Sequence, residues 1–383
     1  MAIITTDHAV PHTSTVPATA GQKVELFVRE HDGTPSGPPA NRKAVLMLHG
    51  RSVPALAGYD LQHTSYGWAK AVAQAGYDVF MMDLQGSGLS PRPRMEDPCN
   101  VNPQQQTAVT PPLMGPRSPS YPYVLTNSQS DRDELGTVVD YIRSERHVSE
   151  VAFIGWSAAA FAMGPYAVSN PNKVESLFLL APIFPPLGPS TPPTLPVSGF
   201  PTHVLTRKGL DDAWAKEAKC PNQREDDMID VVWDALMEID PIGRTWGAIE
   251  DGRPLGVSRY RNFVSWGWNN TTAGQGGVLG GSVPVLIVHG EHDKTANTTP
   301  PNPNPVLDFH VPALYDAIQG PHNILVTVKC AGHSMPWEIQ HKNLQNLSKN
   351  WLKHLAVAGK TQGRYEMDLN GDISPEPEVP PVL

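Results

Sequence analysis

Short apolar runs alternate with longer amphipathic segments along most of the 383-residue chain. The runs are nearly continuous in hydrophobicity and rich in β-branched residues, which is typical of strands buried on both faces in a parallel sheet. One further segment, 23–30, alternates apolar and polar residues and predicts an antiparallel edge strand. The predicted buried strands are 44–50, 78–83, 150–155, 176–182, 283–290 and 323–333.

The segments between these strands have the composition and spacing of helices. A regular alternation of strand and helix predicts right-handed crossovers and therefore an α/β fold, with a mostly parallel, doubly wound sheet of about eight strands flanked by helices. Ligands of such sheets bind at the carboxyl ends of the strands. The predicted helices are 66–76, 130–145, 158–170, 311–320 and 335–359.

One long stretch, residues 183–282, does not follow the alternation and is interpreted as a cap inserted after the sixth strand. The core then comprises residues 1–182 and 283–360. Proline makes up 40 of the 383 residues, about twice its usual share. Because prolines are dense near the end of the chain, residues 361–383 are interpreted as a proline-rich tail.

Charge and hydropathy exclude some classes of partner. The chain has 29 basic and 38 acidic residues, a net charge of -9, and no block of lysine or arginine. We therefore expect no binding to nucleic acid, which requires a basic surface. No segment approaches the ~20 apolar residues of a membrane span, and the first twenty residues do not resemble a secretory signal. These observations predict a cytoplasmic protein, although a secreted protein whose signal has been removed would show the same pattern. They leave the oligomeric state, monomer or homodimer, open.

The three cysteines, Cys99, Cys220 and Cys330, are too few and too scattered to predict a disulfide framework or a zinc site of the CxxC kind. Cys330 falls in the last predicted buried strand. We expect it to be buried and inert.

The first candidate for chemistry is Ser157, two residues after the strand that ends at Gly155 and directly before a good helix former. A tight strand-to-helix turn holds such a serine in a strained conformation above the edge of the sheet. The usual signature is G-x-S-x-G, whereas this chain has Ala159 in the last position. The glycine of the signature allows strand and helix to pack closely. Alanine is the smallest change from it, because it adds a single methyl group.

Two later strand ends carry the residues that a nucleophilic serine needs. Asp293 follows the strand 283–290, and His333 follows the last buried strand. A serine hydroxyl becomes a good nucleophile when a histidine takes its proton and a carboxylate orients that histidine. The chain order serine, aspartate, histidine is the order associated with this kind of turn.

Five motifs then appear in order between about residues 40 and 358. They match the oxyanion strand, the D-x-x-G-x-G-x-S loop, the nucleophile elbow, the acid turn and the histidine loop of one family. The sequence thus resembles the α/β-hydrolase fold enzymes, in particular serine esterases and lipases with an inserted cap. The motifs are LMLHG, DLQGSGLS, GWSAAA, VHGEHD and CAGHSMPWE.

The resemblance implies roles for individual residues. Ser157 is the expected nucleophile, His333 the general base and then acid, and Asp293 the carboxylate that orients the histidine. The expected oxyanion donors are the backbone N–H groups of Ala158 and Arg51, with Ser52 as the alternative to Arg51. The resemblance also implies hydrolysis of a carboxylic ester or lactone of a fairly apolar small molecule, with neither a cofactor nor a metal.

Alternatives remain for several of these assignments. The HGEHD segment, with Glu291 and His292 next to Asp293, contains potential metal ligands. Glu291 is also an alternative to Asp293 as the acid. Trp156, Trp266 and Trp268 are candidate pocket residues, although each could simply fill the core.

The function also has alternatives. The same triad supports C–C bond cleavage of diketones or acyl transfer. A protein of another class, a non-catalytic ligand-binding relative, can share the fold.

Overall fold

The apolar runs form the middle of a ten-stranded sheet. The structure is a computed structural model, and it describes residues 3–36, 43–109 and 117–377. Sixteen strands occur in these residues: β1 (Ile4–Thr13), β2 (Lys23–Asp32), β3 (Ala44–Leu48), β4 (Asp78–Met82), β5 (Thr126–Asn127), β6 (Val151–Trp156), β7 (Val174–Leu180), β8 (Thr202–Leu205), β9 (Ile249–Glu250), β10 (Arg253–Pro254), β11 (Ser258–Arg261), β12 (Phe263–Val264), β13 (Val285–Gly290), β14 (Asn323–Val328), β15 (Gly363–Met367) and β16 (Ile373–Pro375).

The strand order across the large sheet is β1-β2-β4-β3-β6-β7-β13-β14-β15-β16. In this sheet, the seven neighbouring strands β4, β3, β6, β7, β13, β14 and β15 pair in parallel. At the two sides of the sheet, β2 pairs antiparallel with β1 and β4, and β16 pairs antiparallel with β15. Every residue of β3, β4, β6 and β13 is buried, as expected for strands covered on both faces. The predicted α/β class and mostly parallel sheet are confirmed, with ten strands instead of about eight.

Helices flank this sheet. The longest, α3, places Leu135, Val138, Val139 and Ile142 in the core, and this spacing is that of one helical face. The nine α-helices of the described residues are α1 (Ala55–Tyr59), α2 (Trp68–Ala73), α3 (Ser128–Arg146), α4 (Ala160–Ser169), α5 (Arg207–Ala215), α6 (Met228–Glu238), α7 (Asn270–Ala273), α8 (Val311–Ala317) and α9 (His341–His354).

The two ends of the sheet differ from the prediction. Residues 361–383 were expected to be a tail, yet β15 pairs in parallel with β14, and β16 pairs with β15. The interpretation as a tail is therefore wrong for residues 363–375. Backbone hydrogen bonding to an existing sheet edge forms these strands, although their sequences have little apolar character. The apolar pattern also did not predict the N-terminal strand β1. Most residues of this strand are exposed, so its sequence lacks an apolar run.

Residues 183–282 lie between β7 and β13 and contain three helices, α5 to α7, and five short strands, β8 to β12. We call this segment the insertion. Its strands β8 and β11 pair antiparallel, with His203 opposite Tyr260, and β12 pairs in parallel with β5 outside the insertion. The division into a core and a cap stays a prediction. Among the described residues, no helix has the length and apolar character needed to cross a membrane.

Candidate active site

Ser157 occupies the sharp turn between β6 and the helical segment that leads into α4. Strand β6 ends at Trp156, and one 3-10 turn spans Ser157–Ala159 before α4 begins. The backbone of Ser157 is in the left-handed region, with φ of 59°. Such a conformation is costly for a residue with a side chain and is commonly found at functional sites. The turn places the serine at the carboxyl edge of the sheet, as predicted.

Close packing around this turn explains why small residues flank Ser157. A Cβ added to Gly155 would lie 2.8 Å from Met163 Sδ and 3.1 Å from the Ala159 Cβ. A Cβ added to Gly50 would lie 3.1 Å from the Ser157 Cβ. The methyl group of Ala159 is therefore accommodated because residue 155 is a glycine. The alanine in the motif is compatible with a tight turn.

The structure brings the three predicted triad residues together. His333 Nε2 lies 2.9 Å from Ser157 Oγ, and His333 Nδ1 lies 3.1 Å from Asp293 Oδ2. The Asp293 carboxylate is only 3% exposed and also accepts the backbone N–H of Ala296. Burial lowers the pKa of His333, but the charge and hydrogen bonds of Asp293, together with the charges of Glu217 and Glu338, outweigh it, so the net shift is upward. The imidazole can thus accept a proton from Ser157.

Glu291, the alternative acid, is directed elsewhere. Its carboxylate lies 3.3 Å from Lys329 Nζ and accepts the backbone N–H of Cys330. The neighbouring His292 lies 3.6 Å, through Nε2, from Cys220 Sγ. Within the described residues, no group of three or more His, Cys, Asp or Glu side chains is arranged to hold a metal ion. Within the HGEHD segment, Asp293 therefore contacts His333, whereas Glu291 and His292 contact other groups.

His49 ties together two loops next to the serine. Its Nε2 accepts the backbone N–H of Leu84 at 3.1 Å, so its Nδ1 carries the proton and donates to the Gly50 carbonyl at 2.6 Å. Burial lowers the pKa of this histidine and favours the neutral form. The bonds hold the chain at Gly50, directly before Arg51, in place beside Ser157. Ala158 lies in the first helical turn after Ser157, where backbone N–H groups have no partner within the helix.

A cavity of about 510 Å³ opens onto Ser157 and His333. This volume is in the usual range for sites that bind small molecules. The wall is mainly aromatic and aliphatic, and it comes from both the insertion and the rest of the chain. Its large apolar side chains include Phe161, Leu210, Trp214, Phe263, Phe309 and Trp337.

Of the three predicted pocket tryptophans, only Trp156 lines this cavity, and its indole N–H donates to the His333 carbonyl at 3.0 Å. The assignments of Trp266 and Trp268 are wrong. Trp268 is buried against Gly164 of α4, and Trp266 lines a separate surface depression. Sequence reasoning missed Trp214, although its spacing from Leu210 on one helical face was a usable signal.

A model of the alpha/beta hydrolase family matches residues 45–341. The chain belongs to the alpha/beta hydrolase family. This confirms the resemblance inferred from the motifs and makes the protein a hydrolase. No curated protein matches the chain.

Solved structures similar to this alpha/beta hydrolase include three bacterial proteins. A carboxylesterase, CesB, from Bacillus subtilis has 11% identity and a TM-score of 0.49, with 91% of this chain and 92% of that chain covered. An esterase from Thermogutta terrifontis has 14% identity and a TM-score of 0.46, with 91% and 98% covered. A serine hydrolase from Cycloclasticus zankles has 14% identity and a TM-score of 0.48, with 91% and 99% covered.

In this alpha/beta hydrolase, a buried carboxylate of the insertion connects the loop after β13, which carries Asp293, with the loop after β14, which carries His333. Glu217 Oε1 accepts the backbone N–H groups of Lys294 and Thr295, both at 3.0 Å. Its Oε2 accepts the backbone N–H of His333 at 2.7 Å. Neither the family motifs nor the apolar pattern singled out Glu217, because its partners are backbone groups distant in sequence.

A second buried carboxylate, Glu338, supports the same loop. It accepts the backbone N–H of Gly332 at 2.8 Å and the indole N–H of Trp214 at 2.8 Å. Burial raises the pKa of Glu338 to about 7. Glu338 thus fixes the position of Gly332, directly before His333, relative to the Trp214 side chain that lines the cavity.

A disulfide joins the insertion to the same region of the alpha/beta hydrolase. Cys220 is bonded to Cys330, which lies three residues before His333. The expectation of no disulfide, and of a buried, inert Cys330, is therefore wrong; Cys330 is partly exposed. Cysteines 110 residues apart in sequence are brought together only by the fold. Disulfides persist in oxidising compartments, so this bond weighs against the predicted cytoplasmic location.

Removing the disulfide is expected to destabilise the protein. The double variant Cys220→Ser, Cys330→Ser should lose about 2 to 4 kcal/mol of unfolding free energy, because the open chain gains conformational freedom. Denaturant-induced unfolding, with and without reductant, measures this loss. Cys99→Ser, which replaces the free cysteine, is the control and should unfold like the wild type. Equal stability of the double variant and the wild type would contradict the expectation.

Proposed function

We propose that this alpha/beta hydrolase is a serine hydrolase that cleaves a carboxylic ester or lactone of a fairly apolar small molecule through an acyl-enzyme. The observation that carries the proposal is the 2.9 Å contact between His333 Nε2 and Ser157 Oγ, with Asp293 behind the imidazole. These atoms lie at the cavity of about 510 Å³. A nucleophile, a base and an orienting carboxylate in this relation are the requirements for acyl transfer to serine.

The proposed first step forms the acyl-enzyme. Ser157 Oγ attacks the carbonyl carbon while His333 Nε2 takes the hydroxyl proton, and the carbonyl oxygen becomes an oxyanion. The backbone N–H groups of Ala158 and Arg51 are the proposed donors to this oxygen. Each is expected to contribute about 3 kcal/mol, because the charge exists only in the transition state and intermediate. When the intermediate collapses, the bond to the alcohol breaks and His333 returns the proton to the leaving oxygen.

The second step releases the acid. A water molecule gives a proton to His333 and attacks the acyl carbon, and the collapse of this intermediate returns the proton to Ser157 Oγ. Throughout both steps, Asp293 stabilises the imidazolium and keeps Nδ1 protonated. None of these steps uses a cofactor.

Residues 183–282 are proposed to act as a cap. Leu205, Leu210 and Trp214 of the insertion line the cavity, and Glu217 binds the loops that carry Asp293 and His333. A cap of this kind selects substrates by shape and limits access of bulk water to the acyl-enzyme. It also explains why we propose an apolar substrate of limited size.

A panel of chromogenic esters with short and long acyl chains, lactones and diketones tests this function. We expect turnover of esters or lactones, and labelling of Ser157 by a phosphonate that modifies active-site serines. Turnover of diketones alone would assign C–C bond hydrolysis. Transfer of the acyl group to an added alcohol, with little free acid, would assign acyl transfer. An unlabelled Ser157 and no turnover of any substrate would support a ligand-binding protein and contradict the proposal.

A further inference from the structure

Arg51 places a positive charge at the cavity, and no carboxylate among the described residues pairs with it. It directly follows Gly50, which packs against Ser157, and its side chain lines the same cavity as Ser157. Among the described residues, its hydrogen-bond partner is the His203 imidazole, with Nη2 to Nε2 at 3.1 Å. By contrast, two arginines of the insertion, Arg259 and Arg261, pair with the aspartates of positions 240 and 131.

His203 holds the guanidinium without neutralising its charge. Arginine can only donate hydrogen bonds, so His203 Nε2 is the acceptor. The other ring nitrogen, Nδ1, lies 3.2 Å from Gln105 Oε1 and donates to it. Burial, followed by the positive charge of Arg51, lowers the pKa of His203 to about 4. At neutral pH the imidazole is therefore uncharged.

Aromatic side chains of the insertion fix where this charge lies. The guanidinium carbon of Arg51 is 5.7 Å from the Tyr260 ring centroid and 5.8 Å from that of Phe263. The rings of Tyr260 and His203, opposite each other on β11 and β8, are stacked with centroids 5.2 Å apart. A guanidinium has five N–H donors in a planar fork, which matches a carboxylate. With one nitrogen directed at His203, the remaining donors can bind an anion.

We propose that Arg51 binds a carboxylate carried by the substrate, so that the preferred substrates are esters or lactones that also contain a free carboxylate, such as half-esters of dicarboxylic acids. The inference rests on the proposed function, since it places this carboxylate in the same cavity as the scissile carbonyl. The apolar wall then holds the carbon chain between the two groups. The protein's net charge of -9 provides no general attraction for an anion, so recognition depends on this local charge.

The test compares 4-nitrophenyl half-esters of dicarboxylic acids with neutral 4-nitrophenyl esters of equal chain length, over a range of lengths. We expect kcat/KM of the wild type to favour the half-ester at the best length by about tenfold or more, the size of effect of one charge-assisted hydrogen-bonded pair. In Arg51→Met this ratio should fall to about one, and in Arg51→Lys it should be intermediate, because lysine keeps the charge but lacks the fork. The control is Arg94→Met, since Arg94 also lies over a tyrosine ring, Tyr121, but outside the cavity.

A binding measurement keeps this inference separate from the proposed reaction. Calorimetry with a monoalkyl dicarboxylate and the Ser157→Ala protein should show binding that weakens about tenfold or more when Arg51→Met is added. Thermal unfolding of each variant checks that it is folded. Equal use of half-esters and neutral esters by the wild type, or an equal loss for both in Arg51→Met, would overturn the carboxylate site. If no ester is hydrolysed but the half-ester binds through Arg51, the reaction is wrong and the site stands.

Discussion

Replacing Ser157 with alanine is expected to lower ester turnover by about 10⁶-fold, because the acyl-enzyme can no longer form. The change removes a hydroxyl whose Oγ lies 2.9 Å from His333 Nε2. Alanine has a Cβ, as serine does, so the strain of the left-handed backbone at this position does not change and the fold should persist. Steady-state hydrolysis of the best chromogenic ester measures the loss, with thermal unfolding as the check on folding.

A second serine provides the matched control for this experiment. Ser176 lies buried on the adjacent strand β7, and its Oγ has no hydrogen-bond partner among the described residues. Ser176→Ala removes the same atom from the same sheet, but beside Ala152, near the start of β6, and so away from the carboxyl edge where Ser157 lies; turnover should stay within a few-fold of wild type. Undiminished turnover in Ser157→Ala would contradict the proposed nucleophile.

Replacing Asp293 with asparagine is expected to lower kcat by about 10⁴-fold. An amide in this position favours the wrong tautomer of His333 and cannot stabilise the imidazolium. Since Asp293 is the main factor that raises the pKa of His333, its loss should lower that pKa. The imidazole then stays unprotonated to lower pH, and the acid limb of the residual kcat/KM profile should move to lower pH.

Glu291→Gln is the matched control, because Glu291 is two residues away and its carboxylate contacts Lys329 and the Cys330 backbone instead of His333. We expect kcat and the pH profile of this variant to stay close to wild type. If Glu291→Gln abolished turnover while Asp293→Asn did not, the acid would be Glu291.

The candidate site could be predicted from local sequence to the extent that it lies at strand ends. Ser157, Asp293 and His333 each follow an apolar run, and parallel strands bring their carboxyl ends to one edge of a sheet. Local pattern therefore indicated both the residues and their approximate meeting place. Trp266 and Trp268 were misassigned because a tryptophan in a loop-rich segment has no periodicity that distinguishes a cavity wall from a buried contact.

The sequence by itself determined the strand–helix alternation of this protein, its mostly parallel sheet and the order of its serine, acid and histidine, since these depend on residues near one another in the chain. Only the tertiary structure decided the Cys220–Cys330 bond, the Glu217 contacts with both loops, the sheet edge formed by residues 363–375 and the contact of Arg51 with His203. Each of these depends on groups that are far apart in sequence or on backbone hydrogen bonds that any residue type can make. Local sequence patterns do not indicate such partners, because only folding brings them within contact distance.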